Sequence, residues 1–129
     1  MTEKEMLQRT KTFALRIMKL VDALPRTTSG RAIGNQLVRS GTSVSANYRA
    51  ACRGRSKAEF IAKLGIVEEE ADESALWMEL IMEGGLLEKK LVKELHREAG
   101  EITAIMASSR MTARAGARSQ IANRKSQIQ

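Results

Sequence analysis

The stretch "LVRSGTSVSANYRAACRGRS", residues 37–56, decides how the chain is read. Most of its side chains are small, and its only charges are arginines: Arg39, Arg49, Arg53 and Arg55, with Arg31 just upstream beside Gly30. Small residues in such density suit either a loop or a tightly packed helix. Assigning each residue about 100° of helical rotation separates the two readings. Ile33, Leu37, Val44, Tyr48 and Ala51 then fall within an arc of about 60°, while Arg31, Arg39, Arg49 and Arg53 gather nearly opposite. A loop has no reason to sort its side chains in this way, so the stretch reads as a helix. Each glycine in a helix costs about 1 kcal/mol relative to alanine, so Gly34 and Gly41 require a gain from packing. With Ser45 they lie on one flank of the apolar arc, where absent side chains let a neighbouring helix come close. The alternative is a frayed or kinked helix.

Working outward, the rest of the chain is helix-patterned as well. Pro25 is the single proline, and the only adjacent glycines are Gly84 and Gly85. Upstream, Met6, Phe13, Ile17, Leu20 and Leu24 recur at helical spacing until Pro25, and "PRTTS" forms the turn. Downstream, "RGRSKAEF" closes one helix and opens another. Gly54 suits a left-handed closing residue, and Ser56 with Glu59 has the spacing of a capping box. A third helix aligns Phe60, Leu64, Val67, Ala71, Ala75, Met78 and Ile81 and stops at Gly84-Gly85. A fourth carries Leu87, Leu91, Leu95, Ala99, Ile102 and Met106. Three breaks and four helices of about 20–28 residues predict an all-α, antiparallel, up-down-up-down four-helix bundle over residues 1–110. The end, "TARAGARSQIANRKSQIQ", loses the apolar period and reads as a basic, flexible tail over 111–129.

A chain of 129 residues, 43% of them hydrophobic, can bury one good core. It holds no run of about 18 uncharged apolar residues, and "MTEKEMLQRTK" lacks the apolar segment of a secretory signal, so a cytoplasmic protein without membrane contact is expected. Cys52, the one cysteine, has no disulfide or zinc partner and reads as a small buried residue. The net charge of +7 is unevenly spread. Residues 26–57 carry seven bases and no acid, residues 58–84 eight acids and one lysine, and residues 110–129 five bases and no acid. Either these blocks neutralise one another across neighbouring helices, or the basic ones meet an anionic partner.

No catalytic, metal or cofactor site emerges. His96 is the single histidine, and position 93 is Lys93, so the Glu-x-x-His pairs of a di-iron bundle are missing. His96 itself reads as a surface residue. The acids of "EEEADE", Glu68–Glu73, spread around a helix instead of converging, and Gly30-x-x-x-Gly34 is a packing signal rather than a membrane-dimerisation motif. An arginine row opposite an apolar face is better suited to phosphates, through charged bidentate donors. The residues expected to touch nucleic acid are Arg31, Arg39, Arg49, Arg53, Arg55 and Lys57. Aromatic residues make up 3% of the chain, and Phe13, Tyr48 and Phe60 sit on core arcs, so backbone and shape of RNA or DNA would be read rather than stacked bases. Ile66, Leu76, Trp77 and Leu80 project outside the third helix's core stripe and suggest a subunit contact, the alternative being a wider buried face. A second function class is open: a protein-interaction scaffold whose acidic third helix recruits a protein such as a polymerase or reverse transcriptase.

The run "LPRTTSGRAIGNQLVRSGTSVSANYRAACRGRSKAEFIAKLGIVEEEADESALWMEL" resembles the four-helix bundle proteins encoded in intervening sequences of bacterial 23S ribosomal RNA genes. The likeness spans about residues 8–108 and lies in the proline turn, "SVSAN", the glycine-basic-serine turn and the Glu-rich helix that follows. Related bundles include the accessory variability determinant of diversity-generating retroelements, which associates with a reverse transcriptase and nucleic acid. The resemblance implies an antiparallel bundle, assembly as a ring-like homopentamer and no established enzymatic activity, so a non-enzyme is expected. Carried over by position, it assigns nucleic-acid contact to the region of Arg31, Arg39, Arg49, Arg53 and Arg55.

Overall fold

In a computed structural model, which describes the backbone of residues 1–128 and the side chains of residues 1–123, the secondary structure is four helices with no strand among the described residues. They are α1 (Glu3–Asp22), α2 (Thr28–Cys52), α3 (Lys57–Glu83) and α4 (Lys89–Ile128). The opening stretch is helical as its rotation requires. Each helix buries one seven-residue pattern. Along that seam lie the buried Met6, Thr10, Phe13, Ile17, Leu20 and Leu24 in and just after α1, and Gly34, Leu37, Gly41, Val44, Tyr48 and Ala51 in α2. In α3 they are Leu64, Val67, Ala71, Ser74, Met78 and Ile81, and in α4 Val92, Leu95, Ala99, Ile102 and Met106. Alternating steps of three and four keep one seam facing inward, and this is the pattern of helices packed at shallow angles in a bundle. α2 and α3 pack on each other, α4 on α3, and α1 on α2; α1 also touches α4.

The glycines of α2 are close-approach points. A Cβ on Gly41 would lie 2.8 Å from both Cγ atoms of Ile17, and one on Gly34 would lie 3.2 Å from Leu24 Cδ1. Gly30 is tighter still, with Pro25 O 2.1 Å from where its Cβ would be. A pattern of apolar residues does not reveal the polar seam. Ser40 and Ser74, both fully buried, share a 2.8 Å hydrogen bond between α2 and α3. Each hydroxyl also lies within hydrogen-bond reach of a carbonyl on its own helix, Leu37 O for Ser40 and Glu70 O for Ser74. Buried hydroxyls so paired avoid the desolvation penalty and fix the register of the two helices.

Several local expectations change. Leu91 is exposed and Val92 takes its place, because steps of four from Leu87 to Leu91 to Leu95 drift off the seam that a three-step restores. Phe60 is half-buried at the rim of the core. Gly54 does not close α2 in a left-handed conformation; Arg53 caps that helix, and the single described residue at positive φ is Gly85, at 68°. Around Gly85 the end of α3 is a Schellman motif: Leu86 N donates to Ile81 O at 2.9 Å and Gly85 N to Met82 O at 3.3 Å. An alanine at Gly85 would carry a Cβ into the left-handed region, and a loss of about 1 kcal/mol is expected in urea unfolding. Beyond residue 110 the lost apolar period shows as lost packing rather than lost helix. α4 continues to Ile128, with Ala113 buried and most of its other side chains exposed up to Asn123. The side chains of Arg124 and Lys125, and Gln129 itself, lie outside the described residues.

Candidate nucleic-acid interface

The turn between α2 and α3 gathers Arg49, Arg53, Arg55 and Lys57, all exposed. Its backbone is pinned by short-range bonds: Arg53 N donates to Arg49 O and Ala50 O, both at 3.2 Å, and Gly54 N to Ala51 O at 3.1 Å. Ser56 Oγ then caps α3 by accepting from Glu59 N at 3.1 Å. The capping box is offset by one residue, since the Glu59 carboxylate accepts from Arg55 N at 3.1 Å instead of from the cap residue's own N–H. The acid next to the turn in sequence, Glu59, is therefore engaged with backbone, and none of these four basic side chains forms an ion pair among the described residues.

The other two predicted contacts do not join this cluster. Arg31 is exposed but stands near the opposite end of α2, 18 residues from Arg49 or about 27 Å along the axis. Arg39 is engaged with α3: Nη1 donates to Glu70 Oε2 at 3.0 Å and Nη2 bonds the Glu73 carboxylate. A guanidinium held by two carboxylates is a poor phosphate donor, and this pair accounts for part of the acidic block.

The same neutralisation operates elsewhere on the bundle. Arg110 Nη2 lies 2.7 Å from Glu68 Oε2, although without hydrogen-bond alignment, so it is an ion pair by distance alone. His96 is not a plain surface residue, because its Nε2 sits 2.9 Å from Glu79 Oε2 across α3 and α4. Arg9 spans α1 and α4: its Nε and Nη2 donate to the two oxygens of Glu98 at 2.8 and 2.6 Å, and Nη2 also donates to Glu101 at 2.7 Å. The bidentate hydrogen bond from Arg9 holds the Glu98 carboxyl below the usual carboxylate range, against the opposing effect of burial, and the same bond raises Arg9. A group whose pKa is depressed on folding contributes stability above its unfolded value, near 4.3, and loses it as pH falls through the lower folded value. Acid unfolding that steepens below about pH 4 in the unaltered chain, and less so in Glu98→Gln, is the expected result.

Residues that the linear reading did not group are brought in by the other helices. Lys4 and Lys11 of α1 line, with Arg49 and Arg53, an open groove of about 1130 Å³ between α1 and α2. Gly116 of α4 lies beside Lys57, its Cβ position 3.5 Å from Nζ, so exposed Arg114 and Arg118 reach the same end of the molecule. The sequence marks them as part of a basic block but does not place them at Lys57's end of the molecule. Along the third helix, Leu76, Leu80 and Ile66 are exposed at 47, 40 and 36%, whereas Trp77 is half-buried against the core with its Nε1 lacking a partner. Burial raises the Tyr48 hydroxyl, with the neighbouring Cys52 thiol adding to it, and burial likewise raises Cys52. Burial thus disfavours the Cys52 thiolate, the form that a nucleophile needs. Among the described residues no cluster of metal-ligating side chains forms, and no helix is long and apolar enough to cross a membrane.

No curated protein matches the chain. A solved structure from Bacteroides thetaiotaomicron, described as a protein of unknown function from the S23 ribosomal protein family, is similar to it at 30% sequence identity. The match covers 86% of this chain and 99% of that one, with a TM-score of 0.79. A family profile described as 23S rRNA-intervening sequence protein matches residues 2–108, and this chain belongs to that family.

Proposed function

We propose that the protein is a non-catalytic, oligomeric helical bundle that binds the backbone of structured RNA or DNA through the α2–α3 turn. The observation that carries this reading is a contrast between two sets of basic residues. Arg9, Arg39 and Arg110 are held by carboxylates of neighbouring helices, while Arg49, Arg53, Arg55 and Lys57 are exposed without an ion pair among the described residues. Cations left over after internal pairing are available to replace the counterions of a polyanion. The helices are taken to run up-down-up-down, supported for α3 and α4 by Glu79, late in α3, meeting His96, early in α4, while Glu68, earlier in α3, meets Arg110 farther along α4. Subunit contact is assigned to the exposed apolar residues of α3, and repetition of the turn around a ring-like oligomer, a homopentamer by resemblance, would multiply a weak contact by effective concentration.

Fluorescence anisotropy with labelled duplex RNA and duplex DNA tests the reading. Both duplexes should bind, and shuffled sequences should compete within a few-fold, since phosphate contacts position a protein but carry no sequence information. Failure of either duplex to bind at low salt would overturn it. A protein-recruiting scaffold is the second reading, favoured by the same apolar and acidic surface of α3. A pull-down that retains a protein partner after nuclease treatment would support it.

A further inference from the structure

We infer that the end of α4 is an arm that enters the major groove of duplex DNA, which rests on the polyanion binding proposed above and names the duplex it favours. α4 outlasts its neighbours. Gly116 stands beside Lys57, the first residue of α3, with its Cβ position 3.5 Å from Nζ. From there to Asn123 the helix runs about 10 Å farther. Residues 118–123 are exposed without a break, which over more than one full turn leaves every side of the helix open. The arm lies past residue 108, where the family match stops.

The arm is slender and cationic. Ala113, Ala115, Gly116, Ala117, Ser119 and Ala122 add little width to its backbone, and no acid follows Glu101 in the chain. Arg114 and Arg118 are exposed, one turn apart, and form no ion pair among the described residues. They lie about 40° from each other, but each is about 160° around the helix from Gly116, where Lys57 sits. Cations thus flank α4 on two opposite sides. A flat polyanion surface meets only one of these sides, whereas a groove presents a phosphate strand to each. The major groove of B-DNA, about 12 Å wide, admits an α-helix, while that of A-form RNA is too deep and narrow to do so. Because the arm continues a helix already nucleated in the bundle, it needs no new nucleus to stay helical there. Arg49, Arg53 and Arg55 stay on the turn, free to meet backbone outside the groove.

Arg114→Ala/Arg118→Ala in the full chain tests this, with fluorescence anisotropy on a labelled DNA duplex and on an RNA duplex of the same sequence. Both positions are exposed and alanine is the better helix former, so helix content by circular dichroism should not fall. Affinity for DNA should drop about 10- to 30-fold, as expected for two lost phosphate contacts, and its salt slope should fall by about two. Affinity for RNA should stay within about twofold. An unchanged DNA affinity, or equal losses on the two duplexes, overturns the inference and leaves the turn's role intact. Arg53→Ala/Arg55→Ala, measured beside it, should weaken both duplexes; if it weakens neither, the turn's role is overturned and the arm is not. An unaltered chain that binds neither duplex at low salt overturns both.

Discussion

Leucine in place of Gly41 is expected to destabilise the protein by about 3 kcal/mol and to lower the melting temperature by roughly 10 °C. The position gains up to about 1 kcal/mol of helix propensity from any side chain, so the sign depends on whether α1 can yield. It cannot do so easily. The atoms 2.8 Å from the Cβ position belong to Ile17, a β-branched side chain that is fully buried and has few rotamers to move into. At Gly34 the neighbours stand farther off, the flexible end of Leu24 at 3.2 Å and Cγ1 of half-buried Val21 at 3.3 Å, so Gly34→Ala should change stability by less than about 1 kcal/mol. The pairing can be tested directly. Ile17→Ala alone should cost about 2–5 kcal/mol, yet combined with Gly41→Leu it should cost less than the sum, because the cavity of one accommodates the other. Strict additivity in chemical denaturation would mean that the two helices do not meet at these residues.

Arg39→Ala and the triple variant Arg53→Ala/Arg55→Ala/Lys57→Ala are expected to register in opposite assays. Arg39 makes two ion pairs at a half-exposed site, where such pairs are worth about 1 kcal/mol or less, so its loss should lower stability slightly and leave polyanion affinity unchanged. The triple variant removes exposed side chains that form no ion pair among the described residues, and thermal stability should stay within about 0.5 kcal/mol of the unaltered chain. If each of the three makes one phosphate contact worth about 1 kcal/mol, affinity for duplex should fall roughly 100-fold. A large affinity loss in Arg39→Ala would mean that its carboxylate partners release it on binding.

The helices were legible because their seams follow a period that apolar residues announce: Phe13, Leu37, Leu64 and Ile102 all lie where the spacing puts them, fully or almost fully buried. Thr10 and Ser74 were not, since a hydroxyl counts as polar in a pattern but can be satisfied inside by a carbonyl of its own helix. Leu91 was misplaced by the same logic in reverse, because an apolar side chain one position off a seam is indistinguishable from one on it. Charge blocks offered neutralisation as one of two readings and did not say between which residues it would occur. Arg39 and Arg49 look alike in sequence, and only the register of α2 on α3 gives one of them two glutamates and leaves the other exposed. Lys4 and Lys11 reach Arg49 across a groove that no linear spacing encodes.

The salt dependence of duplex binding tests the central claim most directly. The logarithm of the association constant should fall linearly with the logarithm of salt concentration, and the triple variant should reduce that slope by about three, one for each lost phosphate contact. A slope identical in the two proteins, at any affinity, would place the polyanion surface somewhere other than the α2–α3 turn.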